Sequence, residues 1–215
     1  MIKILYEDRS IAVCLKPPGL LSQSGPGEDI LQVLGEQLQC TLFPVHRLDR
    51  GVGGVMVFAK TGKAAAALST AIQTHKFNKE YLCVVRGKPA EPSGVYKDLL
   101  LHDKNRNKTF VVDRMRGGVK EASLEYRVLT EQGGASLVRV KLHTGRTHQI
   151  RVQFASRKTP LLGDGKYGGG SGEIALWSWL LDFPHPMTGK WMQFSHLPEG
   201  GVWDTFPPEA YPFTV

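Results

Sequence analysis

The chain has 215 residues with 41% hydrophobic content, proportions that suit a globular protein with a core of its own and exclude disordered and fibrous classes. Its 27 lysines and arginines outnumber its 20 acidic residues, and the formal net charge of +7 indicates either a polyanionic partner such as nucleic acid or a surface charged for solubility. The three cysteines lack any paired spacing and no apolar run approaches the roughly 18 residues of a membrane span, so the sequence favours a cytoplasmic location and gives no sign of export, of a membrane or of a metal centre.

Short apolar and amphipathic segments follow one another along the N-terminal half. In chain order, their spacing predicts strands over residues 2–6 and 11–15, a short helix beginning near residue 29, a buried strand over 55–59 and a helix over 63–74. The helix over 63–74 has the clearest pattern, because its apolar residues recur on one face. The segment Lys16-Pro17-Pro18-Gly19 must leave the sheet, since proline cannot donate a hydrogen bond to a neighbouring strand.

The C-terminal half continues with more strands and one helix. Its patterns predict strands over residues 81–86, 95–101, 122–129 and 137–142, and a helix over 147–155. The stretch Phe206-Pro207-Pro208 is typical of a surface tail. Because there is no internal repeat and no linker between differently composed halves, we expect a single domain over residues 1–215 with α+β architecture.

A lone aspartate between two arginines is the first candidate for chemistry. The segment reads His46-Arg47-Leu48-Asp49-Arg50 and is followed by three glycines in four positions, so the chain is expected to bend tightly there. Two nearby cations would keep Asp49 ionised, and an ionised carboxylate can act as a nucleophile or a base. From this segment alone, an aspartate that caps a turn or pairs with arginine on the surface is the simpler interpretation.

A second candidate segment opens the last predicted helix. In His143-Thr144-Gly145-Arg146-Thr147-His148-Gln149-Ile150-Arg151, a turn that contains glycine leads into a polar first helical turn, which is a plausible site for phosphate or carboxylate. Apolar residues at helical spacing hold Arg151 at the edge of a rigid element, and we expect Asp49 to be its partner. A solvated surface helix is the alternative, and its two histidines are expected to be ordinary hydrogen-bonded residues, not metal ligands.

Two further segments are compatible with contacts to an extruded base or to RNA. Tyr81 begins a predicted strand and presents a ring on which a nucleobase can stack, although interior packing is the commoner role of a tyrosine at a strand end. Residues 163–170 are rich in glycine and are consistent either with a flexible loop or with a loop that contacts RNA.

Together and in this order, these segments resemble the motifs of the RluA family of RNA pseudouridine synthases. The family's opening, catalytic and tyrosine motifs are matched by Lys16-Pro17-Pro18-Gly19-Leu20, His46-Arg47-Leu48-Asp49-Arg50 and Lys79-Glu80-Tyr81. Its arginine motif, the loop after it and its C-terminal signature are matched by Gly145-Arg146-Thr147-His148-Gln149-Ile150-Arg151, Leu162-Gly163-Asp164-Gly165-Lys166-Tyr167-Gly168 and Phe183-Pro184-His185-Pro186-Met187-Thr188-Gly189. The ordered set is far more specific than any one motif.

The resemblance implies the pseudouridine synthase catalytic core, a mainly antiparallel mixed sheet flanked by helices with a central RNA-binding cleft, and no separate N-terminal RNA-binding domain. It implies an enzyme that isomerises uridine in rRNA or tRNA, and we expect a monomer that needs no metal and no organic cofactor. Asp49 would be the catalytic aspartate, Tyr81 the active-site aromatic and Arg151 the basic partner of Asp49. Substrate contacts are expected from His46, Arg47, Arg50, Arg146, His148, Gln149 and Ile150.

Two positions depart from the family pattern. Gly51-Val52-Gly53-Gly54 replaces a polar sequence of the Asp-Thr-Ser-Gly type, and Gln153 stands where many relatives have histidine. We expect both changes to alter substrate contacts without removing a catalytic group.

Two other functions compete with this interpretation. A non-catalytic RNA-binding or ribosome-assembly protein would share the positive charge but would not need Asp49. An N-glycosidase or glycoside hydrolase usually needs a second carboxylate as general acid, and none accompanies Asp49 in its motif. The sequence therefore ranks the synthase first, the binding protein second and the hydrolase third.

Overall fold

The computed structural model describes residues 1–212, which form two compact units. Unit 1 comprises Met1–Lys79 and Trp177–Pro198, and unit 2 comprises Glu80–Leu176 and Glu199–Pro212. In chain order the elements are β1 (Lys3–Glu7), β2 (Ile11–Lys16), α1 (Ile30–Leu38), β3 (Phe43–Pro44), β4 (Gly53–Ala59), α2 (Gly62–Gln73), β5 (Asn78–Arg86), β6 (Ser93–Asp103), β7 (Lys108–Val112), β8 (Val119–Gln132), β9 (Ala135–Leu142), α3 (Gln149–Ala155), β10 (Leu176–Pro184) and β11 (Trp191–Ser195), followed by 3₁₀ helices at Gly201–Thr205 and Pro208–Ala210.

Unit 1 is built around β4, whose residues are all buried. β2 and β3 pair with β4 in antiparallel fashion, β10 pairs with it in parallel, and β1 and β11 extend the sheet beside β2 and β10. Val55 and Val57 of β4 share an apolar cluster with Ala64 and Leu68 of α2, so this helix covers the sheet with the face that its sequence pattern predicts.

The two helices of unit 1 begin at polar residues that cap them. Asp29 accepts a hydrogen bond from the N–H of Gln32 (2.9 Å), and Thr61 accepts one from the N–H of Ala64 (3.2 Å). The predictions of a helix from near residue 29 and of a helix over 63–74 are confirmed. No helix within residues 1–212 combines the length and apolar character needed to cross a membrane.

Unit 2 is an antiparallel sheet in the order β5-β9-β8-β6-β7. Phe154 of α3 is fully buried and meets the rings of Tyr96 and Tyr126 edge to face, with centroids 5.2 and 5.7 Å away. The strands predicted for this part of the chain are present, and the helix predicted over residues 147–155 is present as Gln149–Ala155. The α+β class with mainly antiparallel strands is therefore confirmed.

The sequence patterns missed four strands, β3, β7, β10 and β11, and misjudged one segment. The prediction of a surface tail is wrong for Phe206, which is only 4% exposed and packs in a cluster with Val84, Leu137 and Ala175. Phe206 ends the preceding 3₁₀ helix, with its N–H bonded to the carbonyl of Trp203, and Pro208 is exposed as predicted.

Candidate active site

The loop that carries Asp49 connects β3 to β4, and its main chain is fixed on both sides of this residue. The carbonyl of Leu48 accepts a hydrogen bond from the hydroxyl of Ser22 (2.7 Å). The carbonyl of Arg50 accepts one from the N–H of Gly19 (2.8 Å). The loop after β2 therefore holds the carbonyl groups of the residues immediately before and after the half-buried Asp49.

Lys16, the last residue of β2, holds the same loop from inside. Its side chain is fully buried, and its Nζ donates to the carbonyls of Pro17 (2.9 Å), Leu20 (2.8 Å) and Arg50 (3.2 Å). Burial lowers the pKa of Lys16 to about 8, and the negative charge of Asp49 acts against that lowering. The sequence motifs gave Lys16 no role, and the available signal was a lysine that ends an apolar strand immediately before two prolines.

The basic residues around Asp49 differ in their surroundings. Arg47 and Arg50 are exposed, and Arg50 Nε donates to a carbonyl of the loop after β2 (2.9 Å). His46 is buried, and its Nε2 accepts a hydrogen bond from the N–H of Val57 (3.2 Å). Burial lowers the pKa of His46 to about 3, so its ring is neutral at physiological pH. The two arginines are accessible to an anion, whereas His46 is held against β4.

In unit 2, Arg151 lies in the first turn of α3 and is only 5% exposed. Asp164 is fully buried and engages it with both carboxylate oxygens, at 2.7 Å from Nε and 2.9 Å from Nη2. The ring of Tyr167 covers the guanidinium, whose Cζ lies 5.2 Å from the ring centroid. The sequence motifs gave Asp164 no role of its own, and its signals were a place in the family's loop motif and a single carboxylate among glycines.

Side chains suggested as substrate contacts build the turn before α3. Gln149 is buried, accepts a hydrogen bond from the N–H of Arg146 (3.0 Å) and donates to a carbonyl of β8 (3.0 Å). His148 adopts a left-handed backbone conformation with φ 54°, and its Nδ1 lies 3.0 Å from the hydroxyl of Tyr167. Arg146 is exposed, with its Nε bound to a second carbonyl of β8 (2.9 Å), and Ile150 is buried.

Tyr81 lies on β5 opposite Val140 of β9 and is only 5% exposed. The candidate catalytic residues are thus distributed over the chain, with Asp49 in unit 1 and with Tyr81 and Arg151 in unit 2. Within residues 1–212, no group of three or more histidine, cysteine, aspartate or glutamate side chains is arranged to hold a metal ion.

Residues 10–156 match the family model described as RNA pseudouridylate synthase. The chain belongs to this family. It is accordingly an RNA pseudouridine synthase, an isomerase that acts on RNA, and its resemblance to the RluA family is confirmed.

Similar proteins carry names that agree with this membership. An uncharacterized RNA pseudouridine synthase of Aquifex aeolicus is 36% identical over 90% of this chain and 68% of its own length. The ribosomal large subunit pseudouridine synthase D of Zymomonas mobilis is 33% identical, with coverage of 90% and 68%, and that of Yersinia pestis is 32% identical, with coverage of 94% and 69%.

Two human proteins of known structure share the fold of the synthase. RNA pseudouridylate synthase domain containing 4 gives a TM-score of 0.77 at 24% identity, and covers 91% of this chain and 88% of its own. RNA pseudouridylate synthase domain containing 1 gives a TM-score of 0.79 at 20% identity, with coverage of 92% and 84%.

Proposed function

We propose that Asp49 is the carboxylate that starts the isomerisation of uridine. The observation that carries this proposal is the set of hydrogen bonds that hold the loop of Asp49. Ser22 donates to the carbonyl of Leu48, and Lys16 and Gly19 donate to the carbonyl of Arg50. So restrained a main chain fixes the point from which the carboxylate projects, and a reacting group needs such a fixed position. Attack on the anomeric carbon, stabilisation of an oxocarbenium-like species and removal of the ribose 2′-proton all require that carboxylate to be ionised.

Tyr81 and Arg151 serve the same reaction in this proposal. The ring of Tyr81 provides a face on which the detached uracil stacks, so that the base is retained while it turns. Arg151 supplies the cation of the reacting centre, with Asp49 as the partner that the motifs imply. A guanidinium has five N–H donors, so the two bonds to Asp164 do not exhaust it.

The RNA is held mainly by exposed basic side chains. Arg47, Arg50 and Arg146 are accessible, and arginine pairs well with phosphate oxygens. The names of the relatives favour large-subunit ribosomal RNA as the substrate, with tRNA as the alternative. His46, His148, Gln149 and Ile150 support the substrate contacts indirectly, through the loops that carry these arginines.

We further propose that the two units act as one catalytic domain of a monomer that works in the cytoplasm without metal or organic cofactor. Free thiols at Cys14, Cys40 and Cys83 are typical of a reducing compartment. Activity that survives exhaustive chelation, in a protein that elutes from gel filtration at the size of a monomer, would support this assignment. Recovery of lost activity only on addition of a divalent metal would contradict it.

The deciding experiment uses RNA with tritium on carbon 5 of uridine, because formation of the new carbon–carbon bond must expel that hydrogen. We expect the protein to release tritium to water while the uracil stays attached to ribose, and the substrate pool must include RNA from cells that lack the protein. Asp49→Asn should stop the release and change RNA affinity by no more than a few fold, because the substitution removes a charge and keeps the volume.

Glu209→Gln provides the matched control, since Glu209 is exposed in unit 2 and undergoes the same change from carboxylate to amide. Its tritium release should equal that of the unmodified enzyme. Turnover retained by Asp49→Asn would remove Asp49 from the reaction, free uracil would indicate glycosidase chemistry, and neither product from any RNA would indicate a binding protein.

A further inference from the structure

The pair formed by Arg151 and Asp164 is deeply buried in unit 2. The exposed fraction is 6% for the side chain of Arg151 and zero for that of Asp164. A buried ion pair is weak support for stability, because the loss of hydration of both charges offsets their attraction. Such a pair is therefore a candidate for a role in orientation.

The geometry of the pair selects one edge of the guanidinium. A carboxylate can engage arginine with two hydrogen bonds either at the end of the side chain, through Nη1 and Nη2, or at its side, through Nε and Nη2. Asp164 takes the side, with Oδ2 on Nε and Oδ1 on Nη2. Two parallel bonds at that edge fix the plane of the guanidinium and leave its outer end to point in one direction.

Tyr167 holds the face of the same guanidinium. Its hydroxyl accepts a hydrogen bond from the N–H of Thr109 (2.8 Å) and lies 3.0 Å from Nδ1 of His148. Burial raises the pKa of Tyr167, so its hydroxyl stays protonated and its ring stays neutral over Arg151. Edge and face of the guanidinium are thus both constrained within unit 2.

Asp164 itself sits in a turn that closes on its own backbone. Its carbonyl accepts hydrogen bonds from the N–H groups of Tyr167 (3.1 Å) and Gly169 (2.8 Å). A Cβ on Gly169 would lie 1.6 Å from the carbonyl oxygen of Leu161, and a Cβ on Gly163 would lie 1.9 Å from that of Glu173. These two glycines let the turn pack closely enough to fix the carboxylate.

We propose that Asp164 is a positioning residue for the isomerisation, which acts by fixing the orientation of Arg151. The proposal rests on the proposed catalytic role of Arg151. Asp164 touches neither substrate nor the reacting atoms in this assignment, and its effect on the reaction passes through the guanidinium alone.

A second pair in unit 2 provides a matched control. Asp98 of β6 engages Arg157 with both oxygens, at 2.9 Å from Nη1 and 3.1 Å from Nη2, and the ring of Tyr96 lies 3.9 Å from its Cζ. The combination of arginine, aspartate and tyrosine is the same, but Arg157 follows α3 and has no proposed part in the reaction. Asp98 Oδ2 also accepts a hydrogen bond from Nε2 of the fully buried Gln153 (2.6 Å), so Asp98→Asn perturbs both contacts and tests what their loss does to the fold.

The experiment measures kcat and KM for tritium release by Asp164→Asn, Asp98→Asn and the unmodified enzyme, each normalised to its folded fraction. We expect Asp164→Asn to lower kcat by about 10- to 100-fold and to change KM by less than about twofold, because a misplaced group weakens the reaction more than RNA binding. Asp98→Asn should leave kcat unchanged. Equal kcat for the two variants, or a wild-type kcat for Asp164→Asn, would overturn the proposal.

A double-mutant cycle shows whether the effect passes through Arg151. In an Arg151→Lys background the planar fork is absent, so adding Asp164→Asn should lower kcat by less than about threefold. If Asp164→Asn lowers kcat in this background as much as it does in the unmodified enzyme, the positioning role is overturned. If Arg151→Met has a wild-type rate, the proposed function of Arg151 fails, whereas an inactive Arg151→Met together with a fully active Asp164→Asn overturns only the role of Asp164.

The unmodified enzyme supplies a measurement that does not depend on the folding of a variant. In nitrogen-15 NMR spectra, the Nε–H of Arg151 should exchange with water at least 100-fold more slowly than that of the exposed Arg106. Equal exchange rates would show that Asp164 does not hold the guanidinium and would overturn the proposal.

Asp164→Glu adds a second variant, which should also lower kcat because it keeps the charge and moves it by one methylene.

Discussion

A lysine with no solvent contact stands one loop away from the proposed catalytic aspartate. Charged side chains are rarely fully buried unless their hydrogen-bonding groups are satisfied, and the Nζ of Lys16 satisfies three carbonyls at once. With a pKa of about 8, this ammonium is mostly protonated at pH 7. Lys16 thus joins the β2 strand to the loop of Asp49, and the desolvation of its charge lowers the stability of the folded protein.

That desolvated charge predicts how stability depends on pH. The pKa of Lys16 is about 8 in the folded protein, against an ordinary value of 10.5. Between these values the unfolded chain binds more protons than the folded one, so the free energy of unfolding rises with pH across this window. The burial of the charge lowers the free energy of unfolding fully below pH 8, and this effect is gone by about pH 10.5. The resulting increase in the free energy of unfolding is on the order of 3 kcal/mol.

Urea unfolding of the unmodified protein and of Lys16→Met between pH 7 and 10.5 checks this prediction. The free energy of unfolding of the unmodified protein minus that of the variant should grow as the pH rises. Lys97→Met is the control, because Lys97 is exposed and the same substitution there should give a nearly constant difference. A constant difference for Lys16→Met as well would mean that Lys16 titrates like an exposed lysine.

Arg151 predicts an asymmetry between two substitutions. Lysine restores a positive charge beside the buried Asp164, whereas methionine leaves that carboxylate without a counter-charge. Arg151→Met should therefore lower both kcat for tritium release and the melting temperature more than Arg151→Lys does. Near-wild-type rates for both variants would remove Arg151 from the active site.

At the level of elements, the parallel contact of β4 with β10 depends on two glycines. A Cβ on Gly53 would lie 2.5 Å from the ring of Trp177, and one on Gly54, with φ 121°, would lie 2.3 Å from the carbonyl oxygen of Ser178. Residue 53 is a glycine where the family pattern has serine, and we expected this difference to alter substrate contacts. The structure gives Gly53 a packing role, because it makes room for Trp177.

The packing of Gly53 against Trp177 predicts a destabilising substitution and a second substitution that partly restores stability. Gly53→Ser should lower the free energy of unfolding by roughly 1–3 kcal/mol through overpacking, and Trp177→Leu in the same chain should recover part of that loss. Gly62→Ser is the control, since a Cβ there meets no atom within 4 Å. Chemical denaturation measures all four chains, and equal stability of the Gly53→Ser and Gly62→Ser variants would contradict the packing argument.

Elements with a regular pattern were predictable, and those with an irregular one were not. The α2 helix repeats its apolar face, and β2 is an uninterrupted apolar run, so the sequence identified both. The β10 strand mixes aromatic and polar residues without alternation, and its burial is set by the strands beside it. The start of α3 was placed two residues early, because His148 takes a left-handed conformation that residue type alone does not reveal.

For the molecule as a whole, ordered motifs identified the candidate catalytic residues but not the residues that hold them. Asp49, Tyr81 and Arg151 carry the resemblance to the family by their residue types. The burial of Lys16 depends on carbonyls up to 34 residues away, and that of Asp164 depends on a turn closed by backbone contacts. Such contacts form only when distant segments pack, so the sequence pattern could not show them.

The net charge of the molecule is unevenly spread along the chain. Residues 104–120, which run from the turn after β6 through β7 to the start of β8, hold six basic residues and one acidic residue, a net +5. The basic residues are Lys104, Arg106, Lys108, Arg114, Arg116 and Lys120. All but Lys108 are exposed, so this stretch of unit 2 presents a concentrated positive charge to solvent.

This concentration of charge predicts how RNA binding responds to salt. Each phosphate that the enzyme neutralises releases condensed counterions and adds about 0.7–0.9 to the slope of log affinity against log salt concentration. Replacing Arg114 and Arg116 by glutamine should weaken binding at low salt and reduce the slope by about 1.4–1.8, with little change in kcat at saturating RNA. Lys88→Gln is the control, because Lys88 is exposed and pairs with Glu131 outside this stretch. Filter binding at 50 to 300 mM salt measures the slopes, and an unchanged slope for the double variant would place the RNA backbone on another part of the basic surface.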